Sequence, residues 1–114
     1  MRLKSEIWVK AYLRRCMGQG GFGAVVRHGD DDAGAIFIKV RRDDGQCALF
    51  GPAPAGLDSA NFDRRWIALL KGAFVPEAEA DARMEREMRA DSDLWLLEIE
   101  ERDGKHFLGD DLLP

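Results

Sequence analysis

The chain has 114 residues, of which 46% are hydrophobic and 33% are charged, and its net charge is −4. This length corresponds to one domain, and this hydrophobic content excludes a chain that is disordered throughout. No run approaches the ~20 apolar residues of a membrane span, and charged residues interrupt the start of the chain where a signal peptide needs an apolar core. We therefore expect a cytoplasmic protein that does not enter a membrane.

The charges are distributed unevenly along the chain. Residues 1–72 carry a net charge of +4, and residues 73–114 carry a net charge of −8. This asymmetry is compatible with an anion-binding half followed by an acidic half, or with two halves that pack together and neutralise each other. We favour the second interpretation, because each half is too short to fold alone.

The first predicted element is a helix in SEIWVKAYLRRCM. Ser5 is placed to cap its first turn, and Trp8, Tyr12 and Cys16 recur every four residues on one side. The GQGG segment ends the helix, because glycine adopts the conformation of a helix C-terminus at little cost. Cys16 and the other cysteine, Cys47, occupy apolar positions of separate elements, so we expect two buried free thiols without a metal or redox role.

Three apolar segments joined by two polar turns follow between Phe22 and Phe50, a pattern typical of an antiparallel β-meander. In the second segment Ile36, Ile38 and Val40 share one face. The opposite face is mixed, so we predict a sheet covered by helices on one side. The DDG sequence between the second and third segments is typical of a hairpin turn.

The remaining sequence predicts a loop, a fourth strand, a second helix and a last strand. The loop spans 51–61, and the pattern of 64–70 does not decide between a strand and a short helix. Pro76 opens the second helix, and LWLLEIEER forms the last strand. We predict one domain over residues 1–108 and a tail over residues 109–114, which either packs on the sheet or is free to dock in a groove.

The predicted fold is therefore α+β. It is an antiparallel sheet, made of the meander plus one or two further strands, packed by two α-helices in the order α-β-β-β-β-α-β. Its core should take residues from both helices and from most strands. These are Trp8, Tyr12, Leu13, Val25, Ile36, Ile38, Val40, Leu49, Trp66, Met84, Trp95, Leu97 and Ile99.

No combination of residues predicts a catalytic centre, a metal site or a cofactor. The glycines of GQGGFG have the spacing of a dinucleotide-binding loop, but such a loop leaves a strand and opens a helix, and here the order is reversed. His28 stands beside the acidic residues 30–32, where a weak metal site is the alternative to an ordinary acidic turn. The spacing does not pair either cysteine with His28 or His106 as a nucleophile and base.

Arginine doublets at 14–15, 41–42 and 64–65 stand at the ends of predicted elements. If these ends converge, they form an anion-binding surface, since guanidinium binds phosphate and carboxylate through paired hydrogen bonds. The pI of about 5.2 and the core-directed aromatic residues argue against nucleic acid as the partner. The candidate anion-binding residues are Arg27, Arg41, Arg42, Arg64 and Arg65.

The opening SEIWVKAYLRRC, the GD-x-x-AGA turn and strand, and the hairpin that leads to LFGPAP resemble a small bacterial family known as domain of unknown function 1491. The similarity spans about residues 2–108. It implies a compact cytoplasmic α+β domain. It implies no catalytic or ligand-binding residue, because the family has no assigned chemistry.

The sequence leaves three functions open. The favoured one is a non-enzymatic accessory or interaction domain, which binds an unknown protein or associates with itself through an exposed strand edge. The second is an anion or phosphometabolite binder that uses the arginine doublets. The third is a small enzyme in which His28 or His106 shares a pocket with acidic residues.

Overall fold

The computed structural model describes residues 3–54 and 64–114. Short 3-10 helices occupy Leu70–Gly72 and Gly109–Asp111, and no helix in the described ranges is both long and apolar enough to cross a membrane. The helices and strands, in chain order, are α1 (Ser5–Gly18), β1 (Phe22–Arg27), β2 (Ile36–Arg41), β3 (Gln46–Pro52), β4 (Trp66–Ala68), β5 (Val75–Pro76), α2 (Glu77–Ala90) and β6 (Trp95–Glu100).

The strands form a mixed sheet, so the predicted purely antiparallel meander is wrong. β6 lies between β1 and β2, in the order β1-β6-β2-β3-β4, and β5 pairs with the start of β3. β6 is antiparallel to β1 and parallel to β2. The physical reason is burial. Four of the six residues of β6 are buried, on both faces of the strand, because β6 lies in the middle of the sheet between the clusters under α1 and α2, whereas the more exposed β1 lies at the edge.

The predicted order of elements also needs a correction. A two-residue strand, β5, precedes α2, and Pro76 both ends that strand and is the N-cap residue of α2, which begins one residue later at Glu77. The segment at 64–70 is resolved as the short strand β4 followed by the 3-10 helix at Leu70–Gly72. The predicted loop at 51–61 begins too early, because β3 continues to Pro52, and most of that loop lies outside the described residues.

The two helices cover opposite faces of the sheet, and the prediction of helices on one side is wrong. Trp8 and Tyr12 of α1 belong to the core cluster that contains Ile38. Met84 of α2 belongs to a second cluster with Phe37. Because successive side chains of a strand point to opposite faces, these neighbouring residues of β2 place α1 and α2 on opposite sides.

The predicted core is largely confirmed. Eleven of the thirteen predicted residues are buried, and Leu13 packs against the α1 cluster while partly exposed. Val25 is 40% exposed because its strand lies at the edge of the sheet. Both thiols are free and buried as predicted, and burial raises the pKa of Cys16 and of Cys47.

The acidic turn between β1 and β2 holds the start of α1. Ser5 does not cap the helix with its side chain, because its buried hydroxyl donates instead to the carbonyl of Gly34 at 2.7 Å. The amides of Ser5 and Glu6 donate to the carbonyls of Asp32 and Asp31 at 3.1 and 3.0 Å. These carbonyls satisfy amides that the first turn of a helix leaves unpaired. The turn therefore has a structural role.

The C-terminal tail packs on the sheet. The amide of Leu113 donates to the carbonyl of Trp66 at 2.8 Å, and Leu112 forms a parallel bridge with the same residue of β4. Leu112 also packs against the core cluster under α1. The tail thereby covers the edge of the sheet at β4.

Candidate functional site

β1 forms the other edge of the sheet, and in the part of the chain that the structure describes no strand pairs with its outer side. An edge strand presents unpaired amide and carbonyl groups that can bind another extended chain. Proteins usually protect such an edge with lysine, proline or a covering segment. The tail covers β4 in this way, whereas β1 is open.

The open edge is also apolar. Phe22, Val25 and Val26 are 62%, 40% and 57% exposed, and the only charged residue of the strand is Arg27. A register shift between Val25 and Arg27 marks a β-bulge at Val26. β1 has no lysine and no proline, and the bulge lies near its end, so Phe22–Val25 remain a regular and unprotected edge.

The first helix extends this apolar surface. A Cβ added at Gly23 would lie 2.7 Å from Cδ2 of Leu13 and 2.9 Å from Cδ1 of Ile99, so the missing side chain lets Leu13 of α1 pack directly on β1. Met17 lies one turn beyond Leu13 on the same side of α1 and is 51% exposed. The exposed apolar surface therefore extends from β1 onto the neighbouring side of α1.

A buried lysine marks the centre of the opposite face. The side chain of Lys39 in β2 is only 8% exposed, and its Nζ lies 2.9 Å from a carboxylate oxygen of Glu98, its neighbour on β6. Nζ also lies 2.9 Å from Glu77 and 3.0 Å from Asp81, which are one turn apart in α2. Lys39 thus joins α2 to the two central strands.

The charges of this cluster stabilise one another. Burial alone lowers the pKa of Lys39, but its hydrogen bonds to the three carboxylates outweigh burial and hold the pKa above its ordinary value of 10.5. The hydrogen bond from Lys39 lowers the pKa of Glu77 below its ordinary value of 4.5. A lysine that stays protonated is neither a nucleophile nor a general base, which agrees with a role of the cluster in holding α2 on the sheet.

Glu77→Gln is expected to reduce the loss of stability in acid. Because the folded-state pKa of Glu77 is depressed, its carboxylate contributes stability above about pH 4.5, and that contribution is lost as the pH falls through the folded-state pKa. Denaturant unfolding at neutral pH and at a series of lower pH values measures the slope of the free energy of unfolding against pH. Glu85→Gln, at an exposed position of the same helix, should keep the wild-type slope, and equal slopes for the two variants would contradict the assignment.

Arg41 and Arg42 lie together at the end of β2. Arg41 is 4.0 Å from Glu100, while Arg42 binds the carboxylate of Asp44 at 3.0 Å and stacks 4.0 Å from the ring centre of Phe74. Beside them is a polar cavity of about 260 Å³. Acidic and basic side chains are equally represented among its described lining residues, which are Gly20, Gly21, Phe22, Arg41, Arg42, Asp43, Glu100, Glu101 and Arg102.

The other predicted arginines lie elsewhere. Arg64 donates to the hydroxyl of Ser5 at 2.9 Å, and Arg65 lies 3.3 Å from Asp111 of the tail. Both line a cavity of about 140 Å³ at the start of β2, which is roughly 17 Å from its end. Arg27, on β1 at the opposite edge of the sheet, donates to the carbonyl of Ser92 at 2.8 Å. The five candidate arginines therefore lie in three separate places, and anion binding stays a prediction.

The two histidines are held in separate surroundings. Nε2 of His28 lies 2.6 Å from Asp31, with both side chains more than half exposed, and the centre of its ring lies 4.0 Å from that of Trp95. Nδ1 of His106 accepts from the amide of Leu108 at 2.9 Å, and burial lowers the pKa of this imidazole. Within residues 3–54 and 64–114, no three histidine, cysteine or acidic side chains are grouped as metal ligands.

Two features of the site were not predicted from the sequence. The lysine cluster has a local signal, since Lys39 interrupts the otherwise apolar run IFIKV and a buried cation needs partners. The position of β1 at the edge has no local signal, because it depends on where β6 inserts.

Comparison with known proteins places the chain in a family. A family model described as "Protein of unknown function (DUF1491)" matches residues 3–109. The chain is 38% identical to a DUF1491 family protein from Caulobacter crescentus CB15 of known crystal structure, with all of both chains covered and a TM-score of 0.82. It is 40% identical to a DUF1491 family protein from the same organism studied by NMR, with 100% of this chain and 99% of that chain covered and a TM-score of 0.81.

A third solved structure is similar over most of its length. The solution structure of protein Atu0922 from A. tumefaciens is 46% identical, covers 89% of this chain and 87% of its own, and has a TM-score of 0.77. No curated protein matches the chain. The family match and the structural similarity over nearly the whole length show that the chain belongs to the DUF1491 family, whose function is unknown.

Proposed function

We propose that the protein is an interaction domain that pairs with a second copy of itself through the outer edge of β1. The observation that carries this proposal is the contrast between the two edges of the sheet. The tail covers β4, whereas β1 exposes an apolar strand whose outer side is unpaired within the described residues. Strand addition at such an edge supplies main-chain hydrogen bonds and packs alternate side chains.

The strand is suited to pairing with its own copy. In an antiparallel pair, opposed residues share a face, and Phe22 and Ala24 lie on one face of β1 while Gly23 and Val25 lie on the other. A two-fold axis at Ala24 satisfies this condition. It places Val25 of one copy opposite Gly23 of the other, beside Leu13, and brings Val26, at the bulge, next to Phe22. The same contacts then occur twice, as in other two-fold dimers.

The charges at the ends of β1 support the same arrangement. Arg27 ends the strand, and Glu100 on β6 is the neighbour of Phe22 at its start. Antiparallel pairing brings the Arg27 end of one copy to the Glu100 end of the other, so opposite charges meet at both ends of the interface. The contact is smaller than the ~800 Å² per partner of a standard interface, so we expect dissociation on the order of micromolar.

The double variant Phe22→Lys/Val26→Lys is expected to be monomeric where the wild type is dimeric. Two lysines per edge oppose the lysines of the second copy and retain hydration that pairing would remove. Light scattering over a concentration series from micromolar to millimolar measures the mass. Circular dichroism checks the fold, which exposed substitutions should change little.

Ile7→Lys is the matched control for this experiment. Ile7 is 47% exposed on another side of α1 from Leu13, so this variant adds a lysine at an exposed apolar position away from β1. It should dimerise like the wild type. A wild type that is monomeric at millimolar concentration would overturn the proposal, and so would equal dimerisation of the double variant and the control.

A further inference from the structure

A groove lies between the 3-10 helix at Leu70–Gly72 and α2, at the far side of the sheet from β1. Its volume is about 460 Å³, which is within the range of roughly 300–1,000 Å³ that is common for small-molecule sites. The groove is independent of the proposed dimer, because β6, β2 and β3 lie between β1 and β5. Its lining residues are Leu70, Lys71, Ala73, Val75, Glu79 and Arg86.

One part of the groove is apolar and firmly supported. Leu70 packs against the cluster under α2 that contains Met84 and Leu49, and Val75 belongs to β5, which pairs with β3. Ala73 lies between these two residues in the sequence. This surface is anchored to the core, so an apolar ligand can bind it without rearranging the fold.

The rim of the groove carries two cations and one acid. Lys71 and Arg86 are exposed, and neither makes an ion pair or hydrogen bond with a side chain in the described part of the protein. Glu79 faces the same groove, so the lining has a net charge of +1. By contrast, Arg83 on the same helix is bound to Glu87 at 3.0 Å. The two groove cations are available to an anion.

The backbone of Leu70 and Lys71, beside the groove, is held in a strained conformation. Leu70 and Lys71 have φ values of 54° and 59°, and Gly72 follows at 73°. Residues other than glycine rarely adopt this left-handed conformation, and they keep it only where the surroundings impose it. Hydrogen bonds hold this turn, from the amide of Leu69 to the carbonyl of Leu49 at 2.8 Å and from the amide of Gly72 to the carbonyl of Leu69 at 3.0 Å.

We infer that this groove binds a small amphipathic carboxylate, whose apolar chain lies on Leu70, Ala73 and Val75 and whose carboxylate lies between Lys71 and Arg86. The combination of an anchored apolar surface with two unpaired cations selects for this ligand chemistry. An anion without an apolar chain contacts only the two cations of the rim. An uncharged ligand with an apolar chain contacts only the apolar lining residues. Each of these should bind more weakly than the amphipathic anion.

The test uses decanoate, kept below its micelle-forming concentration, as the probe. Chemical-shift changes in two-dimensional NMR spectra of the labelled full chain locate the binding and give its dissociation constant. We expect the shifts at residues 70–75 and 79–86, with decanol and acetate each binding more weakly than decanoate. The double variant Lys71→Gln/Arg86→Gln should bind decanoate on the order of fivefold more weakly, since each exposed charge contributes modestly.

Arg89→Gln is the matched control, because Arg89 is exposed on α2 and does not line the groove. It should bind decanoate like the wild type, and the monomeric variant of β1 should do the same. Three outcomes would overturn the inference. These are no decanoate binding at these residues, decanol binding as tightly as decanoate, and an equal effect of the groove variant and the Arg89→Gln control.

Discussion

Lys39→Met is expected to lower the free energy of unfolding by about 3 kcal/mol, at the lower end of what breaking a buried ion pair costs. The substitution keeps the length of the side chain and removes its charge, which leaves three carboxylates around an apolar group. The cost is at the lower end because Glu77 and Asp81 are 40% and 53% exposed, so water can partly replace the ammonium. Chemical denaturation of the variant and the wild type measures the difference.

Two further variants show whether the charge cluster is the cause. Lys71→Met removes a lysine that is exposed, and it should change stability by less than about 0.5 kcal/mol. Adding Glu98→Leu to Lys39→Met should recover part of the loss, because it removes the most buried of the three carboxylates. The account of Lys39 is contradicted if Lys39→Met is as stable as Lys71→Met, or if the double variant recovers nothing.

Leu97→Ala is expected to lower the free energy of unfolding by about 2–5 kcal/mol, the range for a fully buried leucine. Leu97 is in β6 between β1 and β2, and it is completely buried under α1. Its neighbour across the strand pair is Val25 of β1. Val25→Ala should cost about 1 kcal/mol or less, because that side chain is 40% exposed at the edge.

The comparison of these two alanine variants tests the sheet order in solution. If β6 is central and β1 is at the edge, substitution of the two members of one cross-strand pair by alanine lowers the free energy of unfolding by very different amounts. Equal losses of stability, measured by denaturation under the same conditions, would mean that β1 is as buried as β6. That result would also remove the open edge on which the proposed dimer depends.

The sequence was sufficient for the elements whose pattern is local. The periodicity of Trp8, Tyr12 and Cys16 predicts α1, and the DDG turn predicts the β2–β3 hairpin, both of which are present. The α+β class and most core residues follow from the same patterns. These features depend on neighbours in the chain, which periodicity and turn chemistry report directly.

The sheet order could not be obtained in this way. β6 lies more than fifty residues from β2 in the sequence, and its parallel pairing replaces the hairpin that would join β1 to β2. The apolar run LWLL is compatible with a central or an edge strand, since periodicity gives no partner. The helix faces were predicted wrongly for a related reason. The mixed face of β2 suggested solvent, whereas Lys39 is buried there by carboxylates from α2 and β6.

In the candidate site, too, local features were predictable from the sequence and the arrangement of distant residues was not. Each arginine doublet was found in the sequence, but only the fold shows that Arg41 and Arg65 are at opposite ends of the sheet. The groove beside Lys71 depends on a left-handed turn at Leu70, a residue whose type gives no reason to expect that conformation. Sites made by distant segments or by strained backbone therefore need the structure.

The pairing of β1 with a second β1 is tested most directly by disulfide trapping with Ala24→Cys. A two-fold axis at this residue brings the two Cα atoms to about 4.5–5.5 Å, which is within the range that a disulfide spans. The native thiols are buried and should not compete. Ala11→Cys, exposed on α1 and away from β1, is the control. The account predicts that mild oxidation converts Ala24→Cys to a covalent dimer much faster than Ala11→Cys, and equal rates for the two variants would contradict it.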